Sequence, residues 1–379
     1  MTQIKSSDNR FNNISMREKW IHFLNGEDVG SMVSPLCDDW SLDIPYYWPY
    51  DEPDPFPPGS RHHRISQQMA MAGICDWDPT FLDAVPFQLR NTDIIPKTKR
   101  EKIDGKTRAE SRIQTPYGDL ISITEHSISQ HTVKPWLDSK EDYKKAIWLT
   151  RQQMDYDEDI SIEDGKIIRK GMGDRGVLGT WFGPPIVNFQ NREEIFYHMF
   201  DWPELFQELH EVTTELAFKK LETLSKVGFD YLFYCVSGTE WISPDFFRKY
   251  IMDNTRKTIK FWKDQGGFTL WHSCGHMKIF INEGFYNELK PEILETLSIP
   301  PVGDLPSLEW ARKKLSPDII TKGNIPLNIL LQGTEEEVRT EVRKVKEETK
   351  GYRHIIGLSD DLLHNTPMNN CLAFVDEAR

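Results

Sequence analysis

The feature that constrains the fold most is an alternation, from about residue 174 onward, of short apolar runs with amphipathic helices of ten or more residues. The six runs read GVLGTWFG, YLFYCVSG, FTLWHSCG, ILETLSIP, IITKGNI and HIIGLSD. Strands that alternate with helices predict parallel strands joined by crossover helices. The run SMVSPL and one further strand before residue 174 bring the count to eight, the number of a TIM (β/α)8 barrel.

The alternative for such a pattern is an open, doubly wound sheet. A dinucleotide-binding fold of that kind carries a glycine-rich phosphate loop after its first strand, and no such loop follows SMVSPL. We therefore predict an α/β protein with a single TIM-barrel domain over residues 1–379. Two segments would precede the regular part, a helical segment at 1–30 and a loop and hairpin elaboration at 41–145. The helix of the first segment begins at the capping-box pattern of Ser15 and Glu18.

Charge and cysteine content narrow the class of function. The chain carries 59 acidic and 46 basic residues, a formal net charge of -13, so we expect no nucleic-acid partner. The five cysteines are widely spaced without a CxxC pair, which indicates a reducing compartment and a cytoplasmic protein. No apolar stretch suits a signal peptide or a membrane span, so we expect no membrane partner. The oligomeric state stays open, with a homodimer among the candidates.

The stretch TLWHSCGH carries the most specific chemistry. His272 and Cys274 are two residues apart, so on a strand both side chains point to one face. Reactive residues of a barrel lie at the C-terminal ends of its strands, where this pair stands. An imidazole beside a thiolate supplies half of a tetrahedral zinc site. A buried histidine next to an inert core cysteine gives the same pattern, and the spacing alone leaves both interpretations open.

The same stretch resembles the H-x-C-G strand end of the uroporphyrinogen decarboxylase superfamily, in its cobalamin-dependent methyltransferase branch. Other stretches are similar to that family in the same order along the chain. They are NISMREKWIHFLNGE, TPYGDL, ISPDFFRKYI, KGNIPLNILLQGTEEEVRTEVRKV and IIGLSDDLLHNTPMNNCLAFVDEA. The resemblance begins near residue 12 and is weakest between about 41 and 110. It implies a TIM barrel in which His272 and Cys274 bind Zn²⁺.

Two departures from the family pattern bear on the reaction. The R-Q-A-G-R loop with which uroporphyrinogen decarboxylase grips its substrate does not occur here, which disfavours that decarboxylation. In the coenzyme M methyltransferases the third zinc ligand is a cysteine about six residues before a Thr-Pro pair. Counting back from Thr366 leads to Asp360, whereas Cys371 lies inside the final helix. The resemblance thus implies Asp360 in place of a second thiolate, with Glu240 as a further candidate oxygen ligand.

A zinc ion with one thiolate instead of two is a harder Lewis acid, better suited to polarising an oxygen than to activating a thiol. The resemblance then implies a methyltransferase that moves a methyl group from a small methoxylated, preferably aromatic, donor to the cob(I)alamin of a partner corrinoid protein. Three alternatives stay open. They are methyl transfer from methylcobalamin to a thiol such as coenzyme M, a metal-free decarboxylase, and a barrel that only binds a partner.

Further candidates would line the end of the barrel. Glu240 and His276 are candidate catalytic residues, and His276 would donate a proton to the leaving phenoxide unless it is simply a polar residue at a helix start. Asp38, Trp40 and Trp241 are candidates for contact with the substrate. The aromatic loop around Trp40 would keep water from the cobalt nucleophile. The run RHHR at 61–64 would meet the corrinoid partner or an anionic substrate, or be an ordinary polar loop.

Overall fold

The computed structural model describes residues 14–185, 192–236 and 239–379. Its strands are β1 (Met32–Val33), β2 (Thr80–Leu82), β3 (Gln88–Leu89), β4 (Lys97–Ile103), β5 (Lys106–Ile113), β6 (Leu120–His126), β7 (Gln130–Lys134), β8 (Tyr156–Asp157), β9 (Val177–Phe182), β10 (Tyr231–Cys235), β11 (Phe268–His272), β12 (Ile293–Thr296), β13 (Ile320–Ile325) and β14 (His354–Leu358).

From β9 onward, helices separate the strands of the large sheet. The helices are α1 (Met16–Leu24), α2 (His63–Cys75), α3 (Lys140–Gln152), α4 (Glu158–Met172), α5 (Arg192–Asp201), α6 (Pro203–Val227), α7 (Pro244–Phe246), α8 (Met252–Asp264), α9 (Lys278–Asn282), α10 (Phe285–Leu289), α11 (Leu308–Lys314), α12 (Leu327–Gln332), α13 (Glu335–Glu348) and α14 (Met368–Ala378). A π-helical turn at Phe247–Ile251 joins α7 to α8. No helix in the described parts of the chain is long and apolar enough to cross a membrane.

Eight parallel strands form the predicted TIM barrel, in the first of two compact units. The unit contains the described parts of residues 1–85, 164–184 and 228–379. The strand order is β1-β14-β13-β12-β11-β10-β9-β2, so from β9 to β14 neighbours in the sheet are also successive in the chain, and β1 pairs with the last strand. The two end strands meet where the Asp78 amide donates to the Val33 carbonyl at 2.6 Å. All six runs after residue 174 are strands, and the earlier two are β1 and β2.

Alternate side chains of the strands fill the barrel interior, as parallel strands of a closed sheet require. Phe233 of β10 and Leu270 of β11 belong to this core cluster, and Trp181 of β9 packs against it. Gly179 makes room inside the barrel, since a Cβ there would lie 2.3 Å from the Tyr231 ring. Strands therefore present every second residue to the interior, and this parity decides which side chains reach its ends.

Helix α1 covers the end of the barrel at which the strands begin, which we call the closed end. Its capping box forms as predicted, with Ser15 and Glu18 each bonding the backbone of the other. Trp20 and Phe23 join the interior core cluster. The opposite end, at which the strands finish, is the mouth, and it lies open to the loops that follow the strands.

The second compact unit contains the described parts of residues 86–163 and 185–227. Its main feature is a four-stranded antiparallel sheet in the order β4-β5-β6-β7, which confirms the hairpin predicted within the elaboration. Ile113, Leu120 and Leu149 form a small core between this sheet and α3. That the two units make up one domain over the whole chain stays a prediction.

Candidate metal centre

Three potential metal ligands meet at the mouth. His272 is the last residue of β11, Cys274 follows it, and Asp360 stands just after β14. One donor atom from each of the three lies within 4.8 Å of the others, and the His272 Nε2 is 3.7 Å from the Asp360 Oδ1. Ligands about 2.0–2.3 Å from a tetrahedral zinc ion are about 3.3–3.8 Å apart, so only small adjustments would close this set around a cation.

A buried hydrogen-bonded chain of His272, Glu295 and Lys322, which we call the charge relay, holds the histidine in place. The Nδ1 of His272 lies 2.7 Å from Glu295 Oε1, and the other oxygen of Glu295 accepts from Lys322 Nζ at 2.5 Å. The three residues are paired neighbours on β11, β12 and β13, so the sheet register aligns them. All three are nearly fully buried. Because Nδ1–H donates a hydrogen bond to Glu295, Nε2 is left to face the other two candidate metal ligands, Cys274 and Asp360. Metal-binding histidines are usually oriented in this way.

The electrostatics of the cluster call for positive charge. Burial lowers the pKa of His272, but hydrogen bonds with Cys274 and Glu295 outweigh it and raise the pKa to about 10. Burial also raises the pKa of Asp360, against the opposing charge of His272. Burial acts to raise the pKa of Glu295, yet Lys322 and His272 bring it below its usual value. The positive charge of the protonated imidazole compensates the negative charge of the neighbouring carboxylates. A divalent cation that displaces this proton would supply the same compensation.

Two further acidic residues, Asp38 after β1 and Asp361 beside Asp360, stand at the same end of the barrel. The Asp38 backbone N–H donates to Asp361 Oδ1 at 3.1 Å. Burial raises the pKa of Asp38, with Arg64 opposing it. Burial and the charge of Asp38 raise the pKa of Asp361 to about 7. One carboxylate oxygen of Asp38 is buried and has no hydrogen-bond partner among the described residues.

The other predicted site residues do not join the cluster of three. The Trp40 indole donates to the Ile44 carbonyl at 2.7 Å. His276 is exposed in the turn before α9, and Trp241 is 51% exposed. The side chain of Glu240 lies outside the described residues. The roles predicted for these four residues stay predictions.

Sequence reasoning missed Glu295 and Lys322, although a signal was present. Each is a charged residue inside an otherwise apolar run, ILETLSIP and IITKGNI, and the two have opposite signs. Charged groups are seldom buried unless they are paired, and successive runs of a barrel are neighbours in the sheet. From these two facts it could have been predicted that Glu295 and Lys322 pair with each other.

An aromatic wall, consisting of Trp181 and Phe233, lines the interior next to the cluster. The two residues are register partners on β9 and β10. The Phe233 ring lies 4.9 Å from the His272 ring, centroid to centroid, with the planes tilted by 31°. Apolar rings therefore line the barrel interior beside the imidazole of the candidate metal centre.

Comparison with known proteins agrees with this architecture. The family model of uroporphyrinogen decarboxylase (URO-D) matches residues 187–379, half of the chain, and includes every residue of the cluster and of the charge relay. A uroporphyrinogen decarboxylase from Gluconobacter oxydans (strain 621H) is 21% identical over 177 residues. That match covers 47% of this chain and 49% of the relative, so the chain spans about half the length of the curated relative it matches.

Among solved structures, a methyltransferase from Methanosarcina mazei has a similar fold. It superposes with a TM-score of 0.58 at 12% sequence identity, over 97% of this chain and 98% of that one. At this identity the likeness speaks for the fold alone, and it agrees with the eight-stranded barrel. With the family model matching half of the chain, this protein belongs to the uroporphyrinogen decarboxylase (URO-D) family.

Proposed function

We propose that this protein is a zinc-dependent methyltransferase that demethylates a methoxylated aromatic compound and passes the methyl group to the cob(I)alamin of a partner corrinoid protein. The observation that carries the proposal is the donor set at the mouth, one nitrogen, one sulfur and one oxygen within 4.8 Å. A set with a single thiolate favours an oxygen of the substrate over a thiol. A metal-free decarboxylase would have no use for such a cluster.

The residues of the chain divide the work. His272, Cys274 and Asp360 would hold the metal, and a zinc ion bound there would stabilise the negative charge that develops on the ether oxygen as the bond breaks. Glu295 keeps the imidazole in the tautomer and orientation that ligation requires. Trp181, the partly exposed member of the aromatic wall, would offer an apolar contact for the substrate ring and help to keep water away from it.

In the proposed reaction the bond between the ether oxygen and the methyl carbon breaks, and its electron pair stays on the oxygen. The methyl carbon forms a new bond to the cobalt of the corrinoid, which supplies both electrons and acts as a substrate. The phenoxide that remains takes up one proton, for which His276 is the predicted donor. Phenoxide is a poor leaving group, so charge stabilisation at the oxygen is the main requirement on the site.

Metal analysis combined with a turnover assay tests the proposal. The purified protein should bind about one zinc ion per chain, and the His272→Ala and Cys274→Ala variants should not retain it. Zinc-loaded protein, cob(I)alamin and a panel of methoxyarenes should give loss of the Co(I) absorbance and release of the matching phenols. Cys235→Ala, which removes a thiol of the neighbouring strand, is the matched control and should keep both properties.

Two outcomes would reverse the proposal. Activity that needs no metal and releases carbon dioxide from an acid substrate would make the protein a decarboxylase. Methyl transfer from methylcobalamin to thiols, with no phenol released across the panel, would make it a thiol methyltransferase.

A further inference from the structure

The basic run at 61–64 resolves into side chains with and without partners. Three of the four bond to the protein itself: Arg61 to Asp164 at 3.3 Å, His62 to Asp83 at 2.8 Å and to Asp164 at 3.1 Å, and His63 to the Phe56 carbonyl at 2.9 Å. These three side chains fix the loop that leads into α2. Among the described residues, these contacts leave Arg64 as the member of the run whose charge is available to a ligand.

Arg64 forms no hydrogen bond and no ion pair with any residue that the structure describes. Its guanidinium lies over the Trp181 ring, 5.3 Å from the ring centroid, and the side chain is only partly buried. A guanidinium held over an aromatic face is attracted by the ring and can still present an edge with two N–H donors to a second partner. That edge matches the two oxygens of a carboxylate, which it can bind in bidentate fashion.

Arg64 is also at the mouth. It belongs to the first turn of α2, which follows β1 and therefore starts at the end where the strands finish. Trp181 is part of the aromatic wall, whose other member, Phe233, contacts the imidazole of His272. Arg64 thus lies over Trp181, whose neighbour Phe233 contacts the histidine of the candidate metal centre.

We propose that Arg64, seated on Trp181, binds an anionic group of the substrate, so that the substrate class is a methoxylated aromatic acid. The substrate ring would lie beside Trp181, with the carboxylate at Arg64 and the methoxy group toward His272, Cys274 and Asp360. This inference rests on the proposed function, because it is that function which brings the methoxy group to the metal centre.

The acidic residues of the mouth define the competing ligand. Asp38, Asp39, Asp360 and Asp361 all stand at this end of the barrel, and by themselves they would favour a cation. Asp38 forms no ion pair with Arg64, although the positive charge of Arg64 opposes the rise in the pKa of Asp38. An anionic and a cationic ligand with the same ring therefore show whether Arg64 or the carboxylates decide which ligand charge binds at the mouth.

The test is a binding measurement that needs no corrinoid. Three probes share one ring and one methoxy position: a methoxybenzoate, the neutral methoxybenzamide and the cationic methoxybenzylamine. Calorimetry on the zinc-loaded protein should show the benzoate binding at least about 10-fold more tightly than the amide. Arg64→Met should weaken the benzoate by about 10- to 100-fold and leave the amide within about twofold, and Arg64→Lys should restore part of the loss.

Arg61→Met is the matched control, because it removes a neighbouring guanidinium that is already paired and should leave all three affinities unchanged. Unaltered amide binding also shows that the Arg64 variants are folded. The proposal is overturned if the benzoate and the amide bind equally or not at all, if the benzylamine binds most tightly, or if Arg64→Met weakens both ligands alike.

The two proposals fail in different ways. Arg64-dependent benzoate binding without any demethylation would remove the proposed function and leave the anion site. Demethylation of neutral methoxyarenes, with benzoate binding indifferent to Arg64, would do the reverse.

Discussion

Two carboxylates at opposite ends of the barrel, Asp78 and Asp38, differ in how completely their buried oxygens are paired. At the closed end Asp78, fully buried, accepts hydrogen bonds from Lys19 at 2.6 Å, Arg379 at 2.7 Å and the Val33 amide at 2.8 Å. At the mouth an oxygen of Asp38 is buried without a partner in the described structure, and Arg64 has only an aromatic ring beneath it.

The difference separates stability from ligand binding within one barrel. A charge whose hydrogen bonds are all made inside the protein contributes to the folded state and has nothing left for a ligand. A charge that lacks partners costs stability until a ligand or a metal supplies them. In barrels of this class the mouth carries the chemistry, whereas the opposite end carries the stability. Replacing one carboxylate at a time tests this difference between the two ends of the barrel.

The largest effect is expected at the closed end, for Asp78→Asn. The neutral amide would leave Lys19, which is 2% exposed, as a buried cation without its anion. Breaking one side of a buried ion pair costs about 3–5 kcal/mol, and we expect a loss of that size in the free energy of unfolding, measured with urea. The zinc content of the folded fraction should not change.

Asp264→Asn is the control, since Asp264 forms an exposed pair with Lys260 and should have no measurable influence. An equal change in the free energy of unfolding for the two variants would mean that the Asp78 network does not stabilise the closed end.

A second prediction uses the two ends of one strand. Glu295 lies near the mouth end of β12 and holds His272, whereas Glu292 precedes the strand and binds Lys263 and the Thr269 amide at the other end. Glu295→Gln should lower the zinc affinity by about 10- to 100-fold, because an amide orients the imidazole less firmly and carries no charge. Competition against a chromogenic chelator measures this.

Glu292→Gln is the matched control and should leave the zinc affinity unchanged. Replacing both members of the buried pair, in Glu295→Gln with Lys322→Met, separates metal binding from the cost of leaving Lys322 buried alone. If the Glu292 variant lost as much zinc affinity as the Glu295 variant, the effect would belong to the strand as a whole and not to the mouth.

The sequence predicted the barrel because the alternation of runs and helices is a local signal that repeats six times after residue 174, and two earlier strands complete the count of eight. It also predicted that His272 and Cys274 share a face, since that needs only the period of a strand. Asp360 came from counting back from Thr366, and the structure brings it to within 3.7 Å of the imidazole of His272.

What the sequence did not reveal depends on partners from distant parts of the chain. Glu295 and Lys322 meet His272 only through the register of three neighbouring strands, which no single run specifies. Arg64 stands out from the run RHHR only once Asp164, Asp83 and the Phe56 carbonyl are known to bind the other three residues. Availability of a charge is a property of the fold, because it depends on which partners the other charges have found.

The smallest effect, and the one of opposite sign, is expected at the mouth for Asp38→Asn. Burial raises the pKa of Asp38 in the folded protein, so the ionised form is less stable there than in the unfolded chain. The cost is fully present above the folded pKa and disappears below the unfolded value of about 3.9. Asp38→Asn should therefore raise the free energy of unfolding by up to about 1 kcal/mol near neutral pH, with no gain near pH 3. Urea unfolding at both pH values measures it, and a destabilised variant at neutral pH would show that Asp38 is as fully paired as Asp78, so that the two ends of the barrel no longer differ.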